Sequence, residues 1–136
     1  MIPDYIPYGR QTISESDIEA VVRVLRSEFL TQGPAIPAFE KAVAEKSNAQ
    51  YAVGVNSATS ALHIACLALG VGAGDTVWTS PTTFVASANC ARFCGASVDF
   101  LDIDPRTWCM DIKNFRQKLE HHQTASLALP KIVIPV

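Results

Sequence analysis

The sequence has 136 residues, of which 49% are hydrophobic and 18% charged, and 11 Lys and Arg stand against 13 Asp and Glu for a net charge of −2. That length holds one domain, and that composition excludes a disordered chain. The charge balance excludes the basic excess of a nucleic-acid binder, and no apolar run approaches the ~20 residues of a membrane span.

The opening MIPDYIPYGR carries prolines and an acid where a signal peptide needs a basic and then an apolar stretch, so the expected setting is cytoplasmic. Pro3 and Pro7 resist helix, and the first ten residues are expected as an extended arm. Ser14 followed by Asp17 marks a helix start, and Ile18, Val21, Val22 and Leu25 keep the spacing of an amphipathic helix that ends near Phe29. Gly33 and Pro34 punctuate a loop, and a second helix is predicted from Pro34 to Ser47. From there strands and helices alternate. Strands are predicted at 51–55, 76–79, 98–101 and 132–136. A helix is expected over 58–69, with Leu62, Ala65, Cys66 and Leu69 on one face. Another is expected over 81–95, with Val85, Ala88 and Phe93 among its apolar positions. Asp111 caps a third, through Glu120, and HHQTASLALP is read as a connection. This alternation argues for an α/β fold, a mainly parallel sheet with crossover helices. Val136 closes the sequence inside an apolar strand, a kind normally buried on both faces, so the chain is expected to be the N-terminal part of a longer α/β protein.

The strand-to-helix junction at Asn56, Ser57, Ala58, Thr59 and Ser60 has small residues and hydroxyls at a helix N-terminus. Free amides and a partial positive charge there suit a phosphate, although Ser and Thr are also ordinary N-caps. Gly70-x-Gly72-x-Gly74 follows a helix and precedes a strand, the wrong order for a dinucleotide loop, so these are turn glycines. Phe84 opens the next helix and is either core or an aromatic beside the phosphate cup, where it would stack on a flat ring. Cys66, Cys90, Cys94 and Cys109 lack metal-finger spacing and are expected as buried thiols without disulfides. His63 is expected half-buried and hydrogen-bonded, and His121 and His122 solvated. Asp99, Asp102 and Asp104 are expected to be solvated or capping, with no metal.

Four stretches occur in a telling order. They are Leu30-Thr31-Gln32-Gly33-Pro34 with Phe39-Glu40, then Asn56-Ser57-Ala58-Thr59-Ser60-Ala61-Leu62-His63, then Ser80-Pro81-x-Thr83-Phe84-Val85-Ala86-Ser87, then Asp102-Ile103-Asp104. Over residues 8–136 the sequence resembles the DegT/DnrJ family of pyridoxal-phosphate-dependent sugar aminotransferases. The resemblance implies the N-terminal part of an aspartate-aminotransferase-like large domain, fold type I. Residues 1–50 would be the arm and two helices, and 51–136 the first part of the cofactor-binding domain. It implies that Ala58 and Thr59 bind the phosphate of pyridoxal 5'-phosphate, that Phe84 stacks on its ring, and that Tyr8, Glu28, Phe29, Leu30, Thr31 and Ala58 line a nucleotide-sugar site. The implied reaction moves an amino group from glutamate to a UDP-linked 4-keto-6-deoxy sugar, in a homodimer. The wording is most similar to the branch serving pseudaminic acid biosynthesis. The family's Schiff-base lysine has no counterpart among Lys41, Lys46, Lys113, Lys118 and Lys131, so these 136 residues alone are expected to be inactive. A sugar dehydratase on the same scaffold, or a non-catalytic interaction or regulatory domain, are the other readings.

Overall fold

Pro7 and residues 9–136 are described in the structure, which is a computed structural model. Residues 1–6 and 8 of the expected arm lie outside the described residues. The chain divides into two units, Met1–Gly54 and Val55–Val136.

In the first unit, α1 (Glu15–Leu25) begins with a reciprocal cap: Ser14 Oγ accepts the Asp17 N–H at 3.3 Å, and Asp17 Oδ2 accepts the Ser14 N–H at 2.8 Å. Asp17 thus does the work usually given to Glu. The helix stops at Leu25 rather than near Phe29. Ser27 Oγ donates back to the Val24 carbonyl at 2.7 Å and accepts the Phe29 N–H at 3.4 Å, which diverts the backbone from another turn. Helix α2 (Ala35–Lys46) starts behind Pro34 as expected.

The predicted strand at 51–55 is not formed. Its Gly54 N–H donates to Glu40 Oε1 at 2.7 Å, so that donor is used by a side chain instead of a ladder. Tyr51 and Val53 are 78% and 76% exposed.

The second unit runs α3 (Ala58–Ala68), β1 (Thr76–Thr79), α4 (Ala86–Phe93), β2 (Ser97–Phe100), α5 (Ile112–Thr124) and β3 (Ile132–Ile134). The strands form one parallel sheet in the order β2-β1-β3, with Val77 beside both Val98 and Ile132. The expected parallel sheet is therefore present, with β2 starting one residue earlier than predicted and β3 ending two residues sooner. Right-handed crossovers that leave β1 in one direction and return past it in the other must lie on opposite faces. The core shows this. Val77, Val98, Ile132 and Ile134 pack with Leu62 and Cys66 of α3 and with Cys90 and Ala91 of α4. Trp78 and Val133 pack with Leu101, Met110, Phe115 and Leu119 on the α5 side.

The helix faces differ from the sequence reading in detail. On α4 the buried residues are Ala86, Ser87, Cys90 and Ala91, while Val85 and Phe93 are exposed. Leu69 is exposed too. The positions of α4 that are buried carry small residues, and the larger Val85 and Phe93 stay outside. Helix α4 also starts five residues later than predicted, because residues 81–83 form a bend. Helix α5 runs on to Thr124, so His121 and His122 are helical and not part of a connection.

Four helices end alike. Asn48, Gly70, Ser126 and Gly95 take positive φ of 51°, 68°, 53° and 81°. The next residue then donates back five positions, as in Val71 N–H to Cys66 O at 3.0 Å and Leu127 N–H to His122 O at 2.8 Å. This is the Schellman closure.

Lys118 fastens α5 to the sheet. Its Nζ lies 2.7 Å from Asp99 Oδ2, donates to the Phe100 carbonyl at 2.9 Å, and sits 4.9 Å from the Trp78 ring centroid. Burial raises the Asp99 carboxyl, but the Lys118 ammonium, the Phe100 N–H and the His122 charge outweigh it and hold the group below its ordinary 3.8. A depressed folded-state pKa gives stability that is present above the unfolded value and is lost as pH falls through the folded one. The urea midpoint difference between the protein and Asp99→Asn is therefore expected to be at full size near pH 5 and to shrink below pH 4. The loss is modest, because the Asp99 side chain is half exposed. A difference that grows on acidification would contradict this linkage.

Candidate functional site

The first turn of α3 contains four backbone amides that the helix itself cannot satisfy. Of these the Ser60 N–H goes to Ser57 Oγ at 3.2 Å, and the first helical bond follows it, from the Ala61 N–H to the Ser57 carbonyl at 3.1 Å. The amides of Ala58 and Thr59 have no acceptor among the described residues. Ser57, Thr59 and Ser60 do not all add a donor for a ligand, contrary to what their place at the junction suggests. Ser57 Oγ and Ser60 Oγ bond each other at 3.0 Å, and Ser60 Oγ donates to Asn56 Oδ1 at 2.6 Å. Both hydroxyls are consumed in holding the cap, and the Thr59 hydroxyl alone stays uncommitted. Two adjacent amides, one hydroxyl and the positive end of the helix dipole make an anion cup. The side chain at its centre, Ala58, is small enough to admit one.

The turn at residues 69–75 delivers α3's far end to the start of β1. The first turn of α3 therefore lies at the carboxyl edge of the sheet, where α4 also begins. Phe84 stands two residues before α4 on that same edge and is 74% exposed. It is not core, and its ring faces are open to a flat partner. In open α/β sheets this edge is where ligands bind.

The other candidates sort by their partners. Glu28, Phe29, Leu30 and Thr31 are exposed in the first unit, and Tyr8 lies outside the described residues. His63 is half-buried as expected, but it meets the Phe93 ring edge-on at 5.4 Å rather than through a hydrogen bond. His122 is not simply solvated: it packs edge-on against Trp78 at 4.9 Å and its Nδ1–H donates to the Ala128 carbonyl at 2.8 Å. Asp102 accepts the Ile103 N–H and Asp104 pairs with Arg106 at 3.1 Å, so these acids act as caps and turn anchors. Cys66 and Cys90 are buried, and burial, followed by contact with Cys90 and Cys94, pushes the Cys66 thiol up to about 12. Cys109 is exposed, contrary to expectation.

A parallel sheet covered on both faces, with free amides and an open aromatic at its carboxyl edge, defines an α/β protein whose sheet edge suits a phosphorylated ligand. Residues 11–136 match the DegT/DnrJ/EryC1/StrS aminotransferase family, and the chain belongs to that family. It is 46% identical to the UDP-4-amino-4,6-dideoxy-N-acetyl-beta-L-altrosamine transaminase of Campylobacter jejuni strain 81-176, over 72% of this chain and 26% of that protein. It is 38% identical to the UDP-4-amino-4-deoxy-L-arabinose–oxoglutarate aminotransferase of Shewanella sediminis, over 82% and 29%. The sugar aminotransferase Spr1654 of Streptococcus pneumoniae, solved in its PLP form, superposes with a TM-score of 0.77 at 34% identity, over 82% of this chain and 29% of that one. The chain thus spans less than a third of the length of these relatives. The fold is that of the fold type I aminotransferases, whose cofactor is pyridoxal phosphate. The residues present fit that group: free amides and a hydroxyl for its phosphate, and an exposed ring for its pyridine.

Proposed function

We propose that this chain forms the first part of a pyridoxal-phosphate-dependent aminotransferase acting on a nucleotide-linked sugar. The observation that carries the reading is the pair of unpartnered amides at Ala58 and Thr59, in a chain of this family. When bound, the cofactor supplies the electron sink through which an amino group changes carriers. The residues of this chain hold it. The Ala58 and Thr59 amides and the Thr59 hydroxyl take the phosphate, and Phe84 covers one face of the ring and keeps water from it. Tyr8, Glu28, Phe29, Leu30, Thr31 and Ala58 receive the sugar nucleotide. The donor is glutamate and the acceptor a UDP-linked 4-keto-6-deoxy sugar, of the kind used in pseudaminic acid biosynthesis. The enzyme is a cytoplasmic homodimer. The similarity to the two UDP-sugar aminotransferases supports the acceptor class. Among the described residues no helix is long and apolar enough to cross a membrane.

The test uses the full-length protein, loaded with pyridoxal phosphate and incubated with glutamate and a UDP-4-keto-6-deoxy sugar. Mass spectrometry is expected to find the amino sugar together with 2-oxoglutarate. A loaded protein that converts no keto sugar would overturn the reading.

The 136 residues by themselves are expected to behave differently. The cup offers a few hydrogen bonds and one aromatic face, and none of the five lysines lies in the family's lysine motif. Pyridoxal phosphate is expected to leave on dialysis. Borohydride reduction and peptide mapping should find a sparse label spread over surface amines, least at Lys118, whose amine is held by Asp99 and Phe100. One stoichiometric lysine adduct would contradict this.

A further inference from the structure

We infer that Asn56 is a positioning residue for the cofactor phosphate, an inference that rests on the cup reading above. Asn56 makes no claim on the phosphate itself. Its Oδ1 accepts the Ser60 hydroxyl at 2.6 Å, which leaves Ser60 Oγ to accept the Ser57 hydroxyl at 3.0 Å. Ser57 Oγ is in turn the acceptor for the Ser60 N–H at 3.2 Å. One side-chain oxygen therefore sets two hydroxyl rotors and, through them, the cap of α3. This has two consequences at the cup. The Ser57 oxygen points at the third amide of the turn and so stays away from the first two, which leaves the Ala58 and Thr59 amides for an anion. The Ser60 proton is directed to Asn56, so the phosphate meets a fixed set of donors instead of a mobile one. Preorganised donors bind an anion more tightly than the same donors free to turn.

The experiment compares pyridoxal phosphate with pyridoxal, its phosphate-free analogue, by equilibrium dialysis against the full-length protein. A residue that acts only on general stability lowers both affinities, whereas a phosphate-positioning residue lowers the first alone. For Asn56→Ala the affinity ratio of pyridoxal phosphate to pyridoxal is expected to fall about five- to tenfold, the size of one hydrogen bond. Ser60→Ala removes the other end of the bond and should lower the ratio similarly, and it reads the same inference if Asn56→Ala does not fold. The double variant should be no worse than either single one, because both break one linkage. An unchanged ratio in Asn56→Ala and Ser60→Ala, with Thr59→Ala still lowering it, would overturn the role of Asn56 and leave the cup intact. An unchanged ratio in Thr59→Ala as well would remove the cup reading itself.

Discussion

Trp78→Ala is expected to cost ~3–5 kcal/mol of folding stability, the range for emptying a large aromatic site in a core. Trp78 is 0% exposed and is the largest side chain in the cluster under α5. Phe115 meets it edge-on at 6.3 Å, His122 at 4.9 Å, and the Lys118 ammonium lies over its ring. Removing it leaves Leu101, Met110 and Val133 without a common partner and takes the aromatic face from Lys118, itself worth ~0.5–1 kcal/mol or more. The indole N–H has no hydrogen-bond partner among the described residues. Trp78→Phe is therefore expected to cost much less than Trp78→Ala, since it deletes a buried orphan donor along with some volume. Urea unfolding followed by circular dichroism measures both, which avoids the changed fluorescence of a protein with two tryptophans. Equal losses in the two variants would show that ring volume is not what the site uses.

Thr59→Ala is expected to weaken pyridoxal phosphate binding about ten- to a hundredfold, the size of one hydrogen bond to a charged group. Its hydroxyl is the single uncommitted one of three in the turn, so no neighbour stands ready to replace it. Phe84→Ala should weaken binding by up to about tenfold through the lost stacked face. Phe84→Tyr, which keeps the face, should bind nearly as the parent does. Dialysis equilibrium with the full-length protein is the measurement. Unchanged affinity in both alanine variants would remove the proposed phosphate cup.

The parts of this fold that were legible in the sequence are those fixed by local chemistry. TVWT lies between a glycine turn and Ser80-Pro81, and β1 occupies those four residues. Ser14 and Asp111 announce their helices because an oxygen at the cap reaches amides only two or three positions on. Tyr51-Ala52-Val53-Gly54-Val55 has the apolar run of a strand, but a run says neither which strand would pair with it nor that Glu40 takes the Gly54 N–H, and Tyr51 and Val53 stay exposed. The end of α5 was hidden for another reason. Three Schellman closures use Asn48, Gly70 and Gly95, residue types that announce a left-handed turn, but the fourth uses Ser126. At the cup, the sequence supplied the hydroxyls but not their directions. Ser60 Oγ turns to Asn56 Oδ1 and Ser57 Oγ to Ser60, and spacing carries no information about such rotamers.

The strand order has a consequence for the time course of folding. Val77 pairs with Val98, 21 residues away, and with Ile132, 55 residues away. Closing the longer loop costs about 0.9 kcal/mol more in chain entropy. It also has to wait for the residues to exist, because a ribosome releases them in order at ~5–20 per second. The β1–α4–β2 segment can close while the rest is still being made. Until β3 arrives, β1 has one edge open, with its Thr79 hydroxyl lacking the Ile134 carbonyl it later reaches at 3.0 Å. The nascent chain is thus most open to mispairing with another chain along that edge, and slowing synthesis between β2 and β3 should lengthen the interval.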